Sequence, residues 1–439
     1  MKAVSKKTLS EKSFPAPAGA VFLIAFCARA IYLYFQDARA GFDTFDYFRL
    51  ARNLYNFGAY SINDSPNFIP SLRRAPGYPY FLSFFEWLGG GNYSFQAVGL
   101  VQCGLDALTA GAIFLLARKV VSKPLAVAAA VLYALHPGAI VRSQMILTEC
   151  LFTFLLVFGT LVLIDAFEEE KIWLLVLAGF LLGFGVLTRP VAVILPVLFT
   201  FAAFVKSDSK KRYKFIAIFG AAFLLTLAPW LVRCYTVSGQ FVFVQGVTAY
   251  QFYAPTRVDL EQWDEQKLSR EFFDPETSDE YFRALAAAET PADFIEAEKI
   301  GRAKALENIK NHPREYVVSR IKAYPYFFIT SFDNFSGINK SYRTLFSEGS
   351  IFTLAVKILL LLVFSVLPFV LSVVGLRRTG QNLTSLACAL IWIFVLVIHL
   401  PMWIEYRFWV PFVPFQLISA VAGFAVLRDR FLPPKTAES

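Results

Sequence analysis

The chain predicts an all-α fold, a polytopic transmembrane helical bundle, and three observations carry that reading. Of its 439 residues, 56% are hydrophobic and only 17% are charged, too apolar a balance for a soluble domain. The apolar residues gather into about ten runs, each approaching the ~20 residues that cross a bilayer core. Basic clusters fall between these runs at alternate positions, as the positive-inside rule requires.

By hydropathy the spans cover 16–36, 94–117, 125–140, 146–166, 172–188, 190–205, 214–232, 351–376, 384–403 and 408–427, with twelve as the upper count. Lys2, Lys6, Lys7 and Lys12 precede the first span, which reads as an uncleaved helix. From a cytoplasmic N-terminus, alternation places Arg118, Lys119, Lys123, the five basic residues from Lys206 to Lys214, Arg377, Arg378, Arg428 and Arg430 inside. Only Glu168-Glu169-Glu170-Lys171 departs from the pattern, and acids carry little weight in it. Both termini are then cytoplasmic. The 37–93 loop, the His136–Ser143 turn and the long 233–350 segment lie outside. The chain divides into a membrane module (1–232, with the 37–93 loop), an extracytoplasmic, partly helical segment (233–350) and C-terminal spans with a short tail (351–439). Within the middle segment Lys299–Asn311 and Pro313–Tyr324 read as helices, the second amphipathic enough to lie along the interface.

Composition excludes several classes. The net charge of +9 marks cytoplasmic loops, and no basic stripe with interleaved aromatics suggests nucleic acid. Five cysteines, an odd number mostly within apolar runs, read as buried thiols rather than a disulfide framework or a zinc site. Three scattered histidines form no metal cluster.

The chemistry concentrates in the first outer loop. Asp43 and Asp46 stand three apart, on one face of a short amphipathic helix. Capping that helix and acting as a base are equally weighted readings of Asp43, and they are compatible. Arg73-Arg74-Ala75-Pro76-Gly77-Tyr78-Pro79 follows: guanidinium forks suit phosphate oxygens, and the prolines stiffen the turn. Glu149, Arg189, Arg233, Glu405 and Arg407 sit at outer span ends. Ionisable groups at membrane depth are expensive and often functional, although each singly also reads as a snorkelling residue or local ion pair. Their shared placement on one face is the stronger argument. Asp43, Asp46 and Glu149 could also gather as a carboxylate metal site.

In order along the chain, these residues resemble the C-type glycosyltransferases, in particular the branch of lipid A aminoarabinose transferases and protein O-mannosyltransferases. The resemblance lies in Asp43, Tyr47, Leu50-Ala51, Asn53-Leu54, Arg74 before Pro76-Gly77-Tyr78-Pro79, His136-Pro137, Thr148-Glu149, Leu187-Thr188-Arg189-Pro190 and Pro229-Trp230-Leu231-Val232-Arg233. It continues in Tyr406-Arg407-Phe408-Trp409-Val410-Pro411. It implies a bundle with two surface helices in the first outer loop, and a donor sugar carried on a polyprenyl phosphate. Asp43 would be the general base, with Asp46 a second candidate. Arg74 would hold the donor phosphate, with Arg73 open, and Arg189 and Arg407 beside it. Tyr47, Tyr78, Glu149, Arg233 and Glu405 would contact substrate. No cofactor is required, and a divalent metal stays open. The acceptor would be a lipid, polysaccharide or protein on the outer face of the cytoplasmic membrane. A transporter or flippase of a lipid or sugar conjugate is the alternative reading, and one-sided placement of the charged groups disfavours it.

Overall fold

The computed structural model describes residues 16–41, 43–63, 65–206, 211–246, 248–257, 279–329 and 340–431. Among these the chain is helical, with no sheet and one isolated parallel bridge, Arg39 to Met145. Each of the ten apolar runs corresponds to a helix, a bent helix pair or a helix with a local break. These are α1 (Ala16–Gln36), α4 (Phe95–Arg118), the pair α5 (Lys123–Ala134) and α6 (Pro137–Gln144), α7 (Thr148–Glu169), α8 (Ile172–Thr188), α9 (Leu195–Lys206) and α10 (Arg212–Ser238). Later come α15 (Ile351–Leu361) and α16 (Leu367–Gly375), joined by a π-helical turn, then α17 (Leu383–Ile398) and α18 (Val413–Phe431). Six of the ten are long and apolar enough to cross a bilayer, seven if the pair bent by 49° counts as one span. Three shorter apolar helices, at 172–188, 190–206 and 383–398, make up the rest.

Two further helices, α2 (Thr44–Phe57) and α3 (Gly77–Leu88), fill the loop between α1 and α4, the number the resemblance implies. The middle segment contributes α11 (Ala249–Tyr253), α12 (Glu280–Ala287), α13 (Pro291–Asn311) and α14 (Pro313–Ala323). Helix α13 begins earlier than its hydropathy suggests. Thr290 and Asp293 close a reciprocal capping box ahead of Pro291.

The interior is made by α4, α7 and α18, whereas α1, α10 and the α15–α16 helix present broad apolar faces outward, as lipid-facing helices do. Four cysteines are buried, but Cys27 lies on the exposed side of α1, because its helical position points away from α4.

The two ends of the bundle are chemically distinct. At one end Lys119 meets Asp165 (2.7 Å) and Glu168 (2.5 Å), Lys211 meets Glu170 (2.8 Å) and Arg378 meets Asp429 (3.0 Å). Asn382 donates to the Lys119 carbonyl (3.0 Å) and Lys206 to the Gly380 carbonyl (2.9 Å). The acidic run that departs from the charge rule is therefore the counter-charge of the basic clusters. The opposite end, where α7 starts and α8 finishes, holds the loops discussed below.

Between α1, α4 and α5 lies a buried ionic staple. Arg29 and Asp106 pair with almost no exposure, and Tyr133 donates its hydroxyl to Asp106 (2.5 Å). Arg29 also donates to the Ala134 carbonyl (2.7 Å), one of the carbonyls left open at the end of α5. Removing one member leaves an uncompensated buried charge. Arg29→Leu or Asp106→Leu alone should cost about 3–5 kcal/mol, and the double substitution distinctly less. Thermal unfolding of the solubilised protein measures this, and singles no worse than the double would refute it.

Candidate active site

The site is assembled by stitching the first outer loop to the start of α7. Arg39 N–H donates to the Gln144 carbonyl (3.0 Å), and Ile146 N–H returns to the Arg39 carbonyl (3.0 Å). Thr44 donates its hydroxyl to the Ile146 carbonyl (2.8 Å) and accepts from Gly41 N–H (2.8 Å). Asp43 occupies the N-cap position of α2, but its side chain makes no capping bond. Its two oxygens instead meet arginines: Oδ1 lies 2.7 Å from Arg74 Nη2, and Oδ2 lies 3.3 Å from Arg407 Nη1. The capping bond expected as one reading of Asp43 is therefore not made.

Arg74 bridges both acids of the loop. Its Nε and Nη2 lie 2.9 and 2.8 Å from Asp46 Oδ2, and Arg73 Nε approaches the same oxygen at 3.3 Å. Arg407 is held on its other edge by Glu405 (2.5 Å), which in turn accepts from Trp403 Nε1 (2.9 Å). From the next turn of the wall, Arg189 Nη1 meets Glu149 Oε1 and Thr148 Oγ1, both at 3.0 Å. Glu149 is 2% exposed, and its Oε2 has no hydrogen-bond partner. Burial pushes the Asp43 carboxyl up, yet Arg74 and then Arg407 pull it down by more, so it sits below the usual carboxylate range. Arg74 is affected oppositely: burial disfavours its charge, and Asp43, Tyr47 and Asp46 together more than restore it.

These groups line a cavity of about 670 Å³, a small-molecule size. Asp43, Tyr47, Arg74, Thr148, Glu149, Arg189 and Arg407 form one part of its wall. Residues 240–243, 245–246, 248 and 251–252, together with α13, supply another. Asp46, Arg73 and Glu405 are not among the lining residues: Asp46 holds Arg74, Glu405 holds Arg407, and Arg73 pairs with Asp46. Tyr78 is fully buried, donates to Gln102 Oε1 (2.8 Å) and packs edge-on against Tyr47 (5.2 Å between centroids). Arg233 is not among the lining residues. It donates to the Ser71 carbonyl (2.7 Å), lies over Trp230 and Tyr60, and faces a separate cavity of about 560 Å³. From there it braces the loop that carries Arg73 and Arg74.

Reading the residues missed several groups. Arg142, from α6, donates to Met145 Sδ (2.9 Å), and Glu149 is its leading charged neighbour. Lys299 and Arg302, three apart on α13, also line the cavity. Their spacing was the available signal.

Two glycines let these elements approach. A Cβ on Gly77 would stand 2.9 Å from the Leu187 carbonyl carbon and still nearer Thr188 Oγ1, so α3 packs directly on the end of α8 beside Arg189. A Cβ on Gly138 would collide with the Tyr406 ring, next to Arg407.

The resting residues do not form a metal-ligand set. Among the described residues no group of three or more His, Cys, Asp or Glu could hold a metal ion. Asp43, Asp46 and Glu149, the acids that could have gathered as one, are each matched to arginine.

Fold and site together define a polytopic membrane protein with a carboxylate–arginine cluster at one end of a helical bundle. Residues 73–232 match the family profile of dolichyl-phosphate-mannose-protein mannosyltransferases. The fold is that of the oligosaccharyltransferase of Archaeoglobus fulgidus, solved with Zn and sulfate: 16% identity, TM-score 0.56, over 94% of this chain and 49% of that one. The same archaeal protein, AglB, in complex with an inhibitory peptide and a dolichol-phosphate, gives 14% identity and TM-score 0.53 over 95% and 50%. ArnT from Cupriavidus metallidurans bound to undecaprenyl phosphate aligns over 94% and 77% at 12% identity and TM-score 0.41. This chain spans about half the length of the archaeal structures. Comparison with curated protein sequences finds no match. The resemblance to C-type glycosyltransferases is thus borne out by the family profile and by the fold.

The Gly138 contact has a measurable consequence. Gly138→Ala should overpack the α6–Tyr406 junction and destabilise the chain by about 1–3 kcal/mol. Gly104→Ala, where a Cβ meets nothing within 4 Å, is the matched control. Equal melting temperatures for the two variants would contradict this.

Proposed function

We propose that the chain is an inverting glycosyltransferase that moves a sugar from a polyprenyl-phosphate donor to a hydroxyl of a lipid, polysaccharide or protein. The reaction is placed on the outer face of the cytoplasmic membrane, with both termini inside. The observation that carries this reading is Asp43, held between Arg74 and Arg407 on the wall of the cavity. The position of the 233–350 segment, part of which lines that cavity, favours a role in acceptor choice.

Transfer forms one bond between the acceptor oxygen and the anomeric carbon, and breaks the bond from that carbon to the phosphate oxygen. The acceptor proton passes to a carboxylate, for which Asp43 is the candidate. The leaving lipid phosphate is a stable anion that needs positive charge rather than protonation, and Arg74 and Arg407 supply it. Attack opposite the leaving group inverts the anomeric centre. No step is routed through a metal.

Charge supports a phosphodiester donor. Five arginines (73, 74, 142, 189, 407) stand against four carboxylates (43, 46, 149, 405), and 5 − 4 leaves one positive charge. A sugar–phosphate–lipid diester carries one negative charge.

At rest both oxygens of Asp43 are engaged, which makes it a weak base. A phosphate arriving at Arg74 and Arg407 draws these cations away, and a carboxylate that loses adjacent positive charge rises in pKa. Donor binding therefore strengthens the base.

The transporter reading draws on one observation, the 49° break between α5 and α6. Arg29 fills the carbonyls at that break, and its charge is matched by Asp106. The break is closed rather than lined by a pathway.

The test is release of polyprenyl phosphate from a panel of polyprenyl-phosphate sugars, by purified protein supplied with lipid extract. Wild type should show sugar-dependent release, and Asp43→Asn should lose about 10²–10⁴-fold. Release surviving in Asp43→Asn would pass the base to Asp46 or Glu149. Sugar moved across vesicles with no new bond formed would establish the transporter instead.

The pH profile provides a separate check. The acidic limb of kcat/KM for donor reports the free enzyme and should lie below the usual carboxylate range. The limb of kcat reports the donor complex and should lie at higher pH. Coincident limbs would disprove the coupling of base strength to donor binding.

A further inference from the structure

One part of the cavity wall carries charge that the transfer step does not use. On α13, Ile295, Glu298, Lys299 and Arg302 all line the cavity, and their spacing of three and four sets them on one helical face. Glu298 fixes the direction of that face. It is 2% exposed and accepts from Thr248 N–H (2.6 Å), Ala249 N–H (2.6 Å), Thr248 Oγ1 (3.1 Å) and the Tyr281 hydroxyl (3.2 Å). These bonds pin α13 across the start of α11.

Lys299 and Arg302 are placed differently. Their side chains are 56% and 60% exposed although both line the cavity, so they stand at its mouth. Lys299 meets Glu296 at 3.0 Å, and an exposed i,i+3 pair of this kind is weak. Arg302 donates to Thr248 Oγ1 (3.3 Å) and lies 3.9 Å from Glu298 Oε2, an oxygen already engaged by three donors. Two cations thus border the cavity with loosely held counter-charges. The donor phosphate has its own arginines on another part of the wall.

We propose that Lys299 and Arg302 form the acceptor subsite and select an acceptor bearing an anionic group, a phosphate or a carboxylate, near its accepting hydroxyl. This rests on the glycosyltransferase reading and names its acceptor class. A purely neutral polyol would gain nothing from the pair, whereas a phosphate or carboxylate forms charge-assisted bonds with both. Such a group could belong to an acidic saccharide or to a lipid headgroup.

The test separates binding from transfer. The full chain in phosphatidylcholine nanodiscs is titrated, without donor, with octyl glucoside and with octyl glucoside 6-phosphate. Wild type should bind the phosphorylated probe about tenfold more tightly. Lys299→Ala/Arg302→Ala should lose that preference, and the charge-conserving Lys299→Arg/Arg302→Lys should keep it. Equal binding of both probes by wild type overturns the proposal, as does a preference that survives in the alanine variant. Discs containing phosphatidylglycerol assign the source. An anionic headgroup occupying the pair abolishes the probe preference there, while a saccharide site retains it. Both results keep an anion on the pair. With a polyprenyl-phosphate sugar present, the alanine variant should raise KM for the phosphorylated probe and leave KM for the donor in place. A raised donor KM with an unchanged probe KM overturns the assignment. Because binding is read without donor, a chain that binds the probe but releases no polyprenyl phosphate rejects the transferase reading and leaves the anion site standing.

Discussion

The pairing of Arg29 with Asp106 sets the geometry on which the cavity-bearing end of this protein depends. A guanidinium inside an apolar bundle needs both a counter-charge and acceptors for its remaining protons. Here the counter-charge comes from α4, and the acceptors are carbonyls where α5 stops. That capping lets the chain turn by 49° into α6 with its open carbonyls satisfied. Gln144, at the end of α6, returns a bond to the Arg29 carbonyl (3.1 Å), so the turn is anchored at both ends. The stretch that follows, through Ile146 to Glu149, can then lie beside the first outer loop and accept the hydroxyl of Thr44.

On that platform the site is a problem of matched charge. Four of its arginines hold four carboxylates in a half-buried setting, where an unmatched charge is costly. Matching each acid to an arginine makes the cluster stable in the absence of substrate, and it also weakens Asp43 as a base. The two effects have one cause. Glu149 differs from the others in keeping one buried oxygen without a partner.

Much of this was legible in the residues, for identifiable reasons. Long apolar runs report helices directly, and all ten did so, because in a bilayer each segment must satisfy its own backbone. The nearness of Asp43 and Arg74 was legible from the one loop that holds both. The staple was not: Arg29 and Asp106 are single charges inside long apolar runs, and no local pattern pairs residues 77 apart. Arg233 read as one more outer arginine, although its chain neighbour Trp230 and the distant Tyr60 draw it into a bracing position. The start of α13 was missed because hydropathy is blind to a capping box, and Thr290-Pro291 followed by Asp293 was the sign to look for.

Asp43 and Arg407 are separated by 364 positions, and the Tyr406 hydroxyl approaches His136 (3.4 Å) across 270. During synthesis, the segment with Asp43, Arg74 and Glu149 therefore leaves the ribosome long before the residue that completes its electrostatics. Until then one oxygen of Asp43 lacks its arginine, and the Tyr406 ring has yet to reach Gly138. A chain interrupted anywhere before residue 407 leaves Asp43 Oδ2 without that partner.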